Sequence, residues 1–507
     1  MTNSHEDYQQ LCKLSRKGKI LEGISHLLEW DQETCMPKEA VKIRAEQLQT
    51  LAGMIHKEQT GKPFANALSK LIDLKTGDII AKGLKAEQKA ALMRWRRDYL
   101  MQTSLPNAFV EQFARVTSEA HVVWDRAKKQ NDFSSFLTTL EEVIDLNKKK
   151  ADYYGYSDHP YDALLDIYEP EMTKKEVEKV FNPLKKTIVE LLKKIQNAKQ
   201  IDDSKLRVRY APSQQLSFGH QLTAMIGYRN DKGRLDLSSH PFSSASHPTD
   251  SRITTRIIPH LPVSNIRSIL HECGHAFYEM GLPVEHYGTP LGESVSLGVH
   301  ESQSRWWETR IGQSKPFWKF LMPHMKKHFK GKLDGVGLET LWKGVNKVEP
   351  SMIRVEADEV TYALHVILRF ELEVALIEGS LDPKDLPAAW NQKMEELLGI
   401  TPKTDSEGCL QDIHWSMGAF GYFPTYALGN LYAAQFFEVF EKEHPDWESS
   451  VMKGEFDFIK QWLTDNIHIH GRRYHSGELL KKVTGKAFTA KPFEAYLTEK
   501  YSQIYKL

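Results

Sequence analysis

The stretch Val263-Ser-Asn-Ile-Arg-Ser-Ile-Leu-His271-Glu-Cys-Gly-His275 decides how the chain is read. Ile266, Ile269 and Leu270 recur at helical spacing and form a stripe to be buried, and Ser264 stands where an N-cap belongs. A helix is therefore expected over residues 264–280. Within it His271 and His275 are four residues apart and share a face, where two imidazoles can hold one metal ion. Glu272 falls beside them. It has no structural duty at such a site, and its carboxylate is placed to take a proton from a water that the metal activates.

Gly281-Leu-Pro283 and Tyr287-Gly-Thr-Pro290 mark a turn-rich loop, after which helix resumes from about residue 291. On that second helix Glu293, Leu297, Glu301 and Ser304 are expected to share a face. Glu301, 26 residues beyond His275, is the expected third ligand, with Glu293 next in line. Zinc held by two imidazoles and one carboxylate keeps its fourth position for water, as catalytic sites do and closed structural sites do not. Gly274 leaves room for another backbone to pass close by.

Further from this centre, residues up to about 205 read as successive helices. Leu11, Leu14, Ile20, Leu21, Ile24, Leu27 and Leu28 recur at spacings of three and four, as do Phe109 to Trp124 over 107–127. A long amphipathic helix over 174–200 is expected to kink at Pro183. Beyond 205 the pattern changes: Arg234-Leu-Asp-Leu-Ser-Ser and Arg252-Ile-Thr-Thr-Arg-Ile-Ile read as strands. The expectation is a mainly α fold with a deep substrate groove and a small β-sheet near the metal site. Its parts would be a helical N-terminal part, 1–205, lining the groove, and a catalytic part, 206–507.

The bulk composition excludes other classes. Lys plus Arg (67) equals Asp plus Glu (67), so no basic field exists to attract nucleic acid. Met1-Thr-Asn-Ser-His-Glu-Asp-Tyr is polar where a secretory signal is basic and then apolar, and no run approaches 18 apolar residues. A cytoplasmic protein with no membrane partner is expected. Cys12, Cys35, Cys273 and Cys409 are too scattered for a disulfide framework or a Cys-x-x-Cys metal site and read as ordinary thiols.

With these residues in hand, the second half of the chain resembles the carboxypeptidase Taq family of metallocarboxypeptidases. Beside His271-Glu-Cys-Gly-His275, the segments that carry the resemblance follow in order: His240-Pro-Phe242, Asp250-Ser-Arg-Ile-Thr254, His300-Glu-Ser-Gln303, Ile353-Arg-Val-Glu-Ala-Asp358 and Gly408-Cys-Leu-Gln-Asp-Ile-His-Trp415. The N-terminal half carries no matching motif. The resemblance implies a helical, saddle-like fold with a long groove, one zinc ion per chain for which cobalt can substitute, and a homodimer. It also implies release of single C-terminal residues from peptides with broad specificity. His271, His275 and Glu301 become the metal ligands and Glu272 the general base.

An enzyme acting at C-termini must read a free carboxylate, for which a planar guanidinium is the best match. Arg354 and Arg252 are the candidates. Each has a plain alternative: Arg354 an i,i+4 ion pair with Asp358 on a helix over about 351–378, Arg252 a pair with Asp250 on one strand face. His414, Tyr422 and Tyr426 lie in a glycine-broken stretch and are candidate donors to a developing oxyanion, with His414 and Tyr426 the expected catalytic partners of Glu272. His240 and Asp250 are expected in the groove, and a strand over 251–258 is expected to pair with extended peptide by edge addition. An endopeptidase or aminopeptidase could use the same metal chemistry. A non-catalytic peptide-binding protein would have lost Glu272 or a ligand, and all four residues are present.

Overall fold

The computed structural model describes residues 4–507. It is mainly α-helical, with one three-stranded sheet beside the helix that carries His271. Helices form where capping and burial coincide. Over Lys174–Asn197, Thr173 accepts the Glu176 amide while Glu176 accepts the Thr173 amide, and Val177, Val180, Phe181, Leu184, Ile188, Leu191, Leu192 and Ile195 bury one stripe. This helix runs on through Pro183 to Asn197. The large core spans Phe109 to Tyr505 and draws on residues either side of 205, while Tyr8, Leu11, Phe64, Leu68, Leu92 and Trp95 form a smaller N-terminal core with Leu291. The first helix, Ser4–Thr34, covers less of its apolar stripe than its periodicity suggests. Gly18 and Gly23 face its neighbours, and Ile20, Ile24 and Leu27 stay exposed.

The sheet contains β1 (Leu235–Leu237), β2 (Ser243–His247) and β3 (Asp250–Thr255) in the order β1-β3-β2. β1 runs parallel to β3, and β2 pairs antiparallel through a tight hairpin with an irregularity between Ala245 and His247. β3 is thus the central strand. Both of its edges are hydrogen-bonded, so the expected edge addition of a peptide along 251–258 cannot occur there. The strand bearing an outer edge on that side is the serine-rich β2, which periodicity alone did not mark.

Three helix starts differ from expectation, each for a local reason. The His271 helix is Pro262–Gly281; Pro262, with φ preset by its ring, occupies the first turn and Ser264 lies inside it, making no side-chain cap. The Glu301 helix is Leu297–Arg305, beginning after residue 291 because Ser296 caps it by accepting the Val299 amide at 3.0 Å and buried Glu169 accepts the Gly298 amide at 3.0 Å. Glu293 is therefore outside the helix, in extended backbone, paired with Arg472 at 2.9 Å and Lys19 at 3.4 Å. It does not share a face with Glu301. No continuous helix spans 351–378: Arg354–Glu356 is a single 3-10 turn, and helix begins at Tyr362. Asp358 causes the break, since its carboxylate accepts the amides of Val360 and Thr361 at 2.9 and 3.0 Å.

Two glycines set how closely the helices of the site cross. A Cβ on Gly274 would press on the Gln303 carbonyl and lie 2.6 Å from the Ser304 Cα, and a Cβ on Gly429, in the helix Pro424–Glu443, would lie 2.7 Å from the Glu301 Cβ. Glu301 is thus clamped between two backbones. Gly274→Ala is expected to cost about 1–3 kcal/mol, the range for overpacking a dense core, and to weaken divalent-cation binding by moving Glu301 away from the imidazoles. Thermal melts and metal titration check this, and a variant with the parent's melting temperature and affinity would show slack at the crossing.

Candidate metal centre

His271 and His275 project from one helix toward Glu301 on the next. The His271 Nε2 and His275 Nε2 atoms lie 3.7 and 3.5 Å from the Glu301 Oε2. Donors about 2.0–2.1 Å from a tetrahedral ion sit about 3.4 Å apart, and both imidazole-to-carboxylate separations lie close to that spacing. Among the described residues it is the one group of three or more His, Cys, Asp and Glu side chains whose ligand atoms converge within 4.8 Å.

Each ligand is oriented from behind. The His271 Nδ1 meets the Glu308 Oε2 at 2.9 Å, leaving Nε2 for the ion. His275 is held by a relay, its Nδ1 lying 2.6 Å from His300 Nδ1, whose Nε2 contacts Glu279 Oε1 at 2.8 Å. The other oxygen of Glu301, Oε1, accepts a hydrogen bond from Arg305 Nε at 2.7 Å. Arg305 also donates to Glu308 at 3.0 Å, and Arg267 donates to Glu308 at 2.8 Å. Glu308 lies on a π-helical turn, Trp306–Ile311, directly after the Glu301 helix; such turns recur at functional sites.

The electrostatics suit a cation. Burial alone would push the His271 imidazole down, but Glu301, Glu308 and Glu272 hold it up at about 9. Burial raises Glu272 to about 7, against the lowering by His271. For Glu301 and Glu308 burial also acts upward, yet Arg305 and the neighbouring cations hold both carboxylates well below the usual range. His275, without a direct carboxylate on Nδ1, is lowered by burial to about 4 and remains a neutral donor. When ionised, Glu272, Glu301 and Glu308 outnumber Arg267 and Arg305 by one charge, and a divalent ion bound here would displace the proton that these carboxylates otherwise hold on His271.

Two cavities flank the centre. One, of about 800 Å³, is lined by His240, His271, Glu272, Glu301, Arg354 and Tyr426, together with Tyr362 and Arg305. The other, of about 920 Å³, is lined by β2, His300, Glu279 and the first helix.

The family model for carboxypeptidase Taq (M32) metallopeptidase matches residues 10–501. The chain belongs to this family. It is a metallocarboxypeptidase, and curated relatives carry the same activity in their names. The thermostable carboxypeptidase 1 of Thermus thermophilus is 42% identical over 98% of this chain and 99% of its own length. Among solved structures, the M32 carboxypeptidase of Deinococcus radiodurans superposes with a TM-score of 0.96 at 36% identity, covering 99% of this chain and 100% of that one. The carboxypeptidase of Pyrococcus furiosus superposes at 0.94, 36% identical, covering 99% of both chains. The mainly α fold and small sheet expected from the sequence are those of the family. No helix of the described residues is long and apolar enough to cross a membrane.

The metallocarboxypeptidase places the remaining sequence-selected residues in two groups. Arg354 is buried but lines the metal cavity; it does not pair with Asp358. Its Nε and Nη2 both donate to Asp412 Oδ1, at 3.1 and 2.8 Å, and its Nη1 points toward Tyr362 at 3.4 Å. Asp412 is shared, because Arg369 donates to its other oxygen at 2.6 Å, so two guanidinium groups stand against one carboxylate. Tyr426 lies over Arg354, 4.9 Å from ring centre to guanidinium, and contacts His414 Nε2 at 3.2 Å. Burial lowers His414 to about 4. Tyr422 packs on Tyr426 and Tyr168. Arg252 and Asp250 fall outside both cavity linings: they bond to each other at 2.8 Å, and the guanidinium stacks on Trp30 at 4.6 Å. His240 remains in the metal cavity.

Sequence reading missed Arg267, Arg305, Glu308, Glu279 and Asp412. Glu308 carried a usable signal, since it follows Glu301 by seven residues, two helical turns. Glu308→Gln is expected to weaken metal affinity about 10- to 100-fold while the helical circular dichroism stays unchanged, because the amide supports His271 less well. Metal titration against a chromophoric chelator measures it; unchanged affinity would remove Glu308 from the support of the site.

Proposed function

We propose that this metallocarboxypeptidase uses zinc, with Glu272 as general base, to release single C-terminal residues from peptides of broad sequence. The observation that carries the reading is that Glu272, Arg354 and the two ligands His271 and Glu301 face one cavity, with the ligand atom of His275 converging on those of His271 and Glu301. His271, His275 and Glu301 would hold the ion, and their mixed imidazole and carboxylate donors favour zinc, with cobalt able to replace it. When bound, the ion supplies Lewis acidity, lowering the pKa of a water and polarising the scissile carbonyl.

The chain's own groups do the rest. Glu272 takes a proton from the attacking water and returns it to the leaving amine, which suits a carboxylate that burial holds near 7. Tyr426 and Tyr362 offer hydroxyls on the cavity wall to the developing oxyanion, with His414 holding Tyr426. Arg354 reads the substrate carboxylate through Nη1, the nitrogen that Asp412 leaves unengaged, and the surplus charge of the Arg354, Asp412 and Arg369 group favours an anion there. Arg252, stacked on Trp30 and paired with Asp250, is the weaker candidate. Upstream peptide would run along the second cavity, one wall of which is β2.

Glu272→Gln is expected to keep the metal and lose turnover by about 10²–10⁴-fold, since an amide cannot accept the proton. In the parent, rate over KM falls as pH drops through the Glu272 titration, at or below about 7, because only the carboxylate form is a base. Metal analysis and peptide hydrolysis across pH decide this; activity within about tenfold of the parent would exclude Glu272 as the base.

C-terminal amidation of the substrate tests the direction of attack. It should cost on the order of 30-fold or more in rate over KM, because a buried guanidinium loses its partner. Arg354→Ala should show the same loss on free peptides and little further loss on amidated ones, the non-additivity of a shared contact. Equal losses on both would make Arg354 a structural partner of Asp412, and products cut internally, read by mass spectrometry, would overturn the carboxypeptidase direction.

A further inference from the structure

A third cavity, of about 1000 Å³, lies apart from the metal centre and shares no lining residue with the cavity that contains it. It opens between the helices Lys315–His328, Leu338–Val345, Pro424–Glu443 and Lys491–Tyr505, and its aromatic walls are Trp342, Phe437, Trp447 and Tyr496. Arg310 reaches into it from the π-helical turn. The guanidinium lies between two rings, 4.2 Å from the Phe437 centroid and 3.7 Å from that of Tyr496. Its side chain is 9% exposed, and its buried Nε and Nη1 have no hydrogen-bond partner. The nearest carboxylate, Glu441, stands 3.8 Å from Nη2, beyond hydrogen-bond range.

A guanidinium is costly to bury without a partner, and its fork matches a carboxylate. The other charged groups are already engaged or stand at the rim. Lys500 is bound to Glu359 and to Gln313, and Lys486 pairs with Glu438 at 2.8 Å. Glu448 and Glu499 are exposed carboxylates among the lining residues, close enough to Glu441 to act on its charge. The cavity thus offers one desolvated cation, an aromatic sleeve and a rim of mixed charge in which Glu448 and Glu499 stand beside Lys315, Lys319 and Lys491.

We propose that this cavity binds a free α-amino acid with an apolar side chain, its carboxylate on Arg310, its side chain among the aromatic walls and its ammonium toward Glu448 and Glu499. That is the chemical class the enzyme releases. A peptide C-terminus shares the carboxylate and the side chain but lacks the ammonium, and this difference is what the measurement exploits.

Calorimetric titration of the metal-loaded full chain with L-phenylalanine, N-acetyl-L-phenylalanine and L-phenylalaninamide tests the proposal. L-phenylalanine should bind more tightly than either derivative. Arg310→Gln should weaken it by at least about 30-fold, the loss expected when a buried charge pair is broken, while rate over KM on a peptide stays within about twofold. Should Arg310→Gln lower the melting temperature enough to confuse the comparison, Glu448→Lys, on the exposed rim, carries the test. It should weaken L-phenylalanine and leave N-acetyl-L-phenylalanine unchanged. A crystal soaked with 4-bromophenylalanine should place the bromine between Trp342 and Phe437. Absence of binding, equal affinity in the parent and Arg310→Gln with no effect of Glu448→Lys, or bromine density at the metal centre alone would overturn the proposal.

Discussion

The distance at which two helices pass each other governs this molecule. At Gly274 the backbone of the His271 helix touches the backbone at Gln303 and Ser304, and on the far side Gly429 lets a third helix press against Glu301. Two close approaches on opposite sides leave the Glu301 side chain little freedom. The carboxylate arrives 3.5–3.7 Å from both imidazoles because the main chains allow nothing looser. The clamp needs a rigid mounting, which comes from the start of the helix: Ser296 and Glu169 occupy its first amides, and Tyr432 donates to the same Glu169 carboxylate at 3.0 Å. A buried charge far from the cavity thus fixes the position of a ligand within it.

Charge is organised around the centre in alternating shells. Glu301 and Glu308 face the imidazoles, Arg305 and Arg267 face those carboxylates, and Tyr362 lies under Arg305 with its ring centre 4.2 Å from the guanidinium. Each of these four charges has a hydrogen-bonded opposite, which is the condition under which ions survive burial. The group of Arg354, Asp412 and Arg369 departs from this balance, because one carboxylate serves two guanidinium groups. The imbalance lies on the wall of the metal cavity, where an incoming anion can complete it.

How much of this was legible in the sequence depends on the range of the interaction. The His271 helix and the glycine that lets it be crossed follow from short-range periodicity and residue size. The mainly α class also follows, since long stretches at spacings of three and four admit few other folds. Helix starts were less legible where a side chain distant in sequence does the capping: nothing near Ser296 announces Glu169, so the second helix was placed too early and Glu293 wrongly put on it. Arg354 illustrates the converse. Its nearest acidic neighbour on a supposed helix was Asp358, but Asp358 spends its oxygens on backbone amides, and the true partner, Asp412, lies 58 residues away. The edge position expected for the strand over 251–258 failed for the same reason, because alternation identifies strands without saying which one ends in the middle.

The outer edge of β2 is not left open to solvent. The first helix lies alongside it, with His26 Nδ1 2.9 Å from the Ala245 carbonyl and the Tyr287 hydroxyl donating to the Ser246 carbonyl at 3.1 Å. An uncovered strand of this kind is a template on which neighbouring molecules can stack into insoluble assemblies. Here that edge is covered by the first helix and Tyr287. The first helix, which covers this edge, also lines the second cavity, so the surface that blocks strand pairing doubles as a wall of that space.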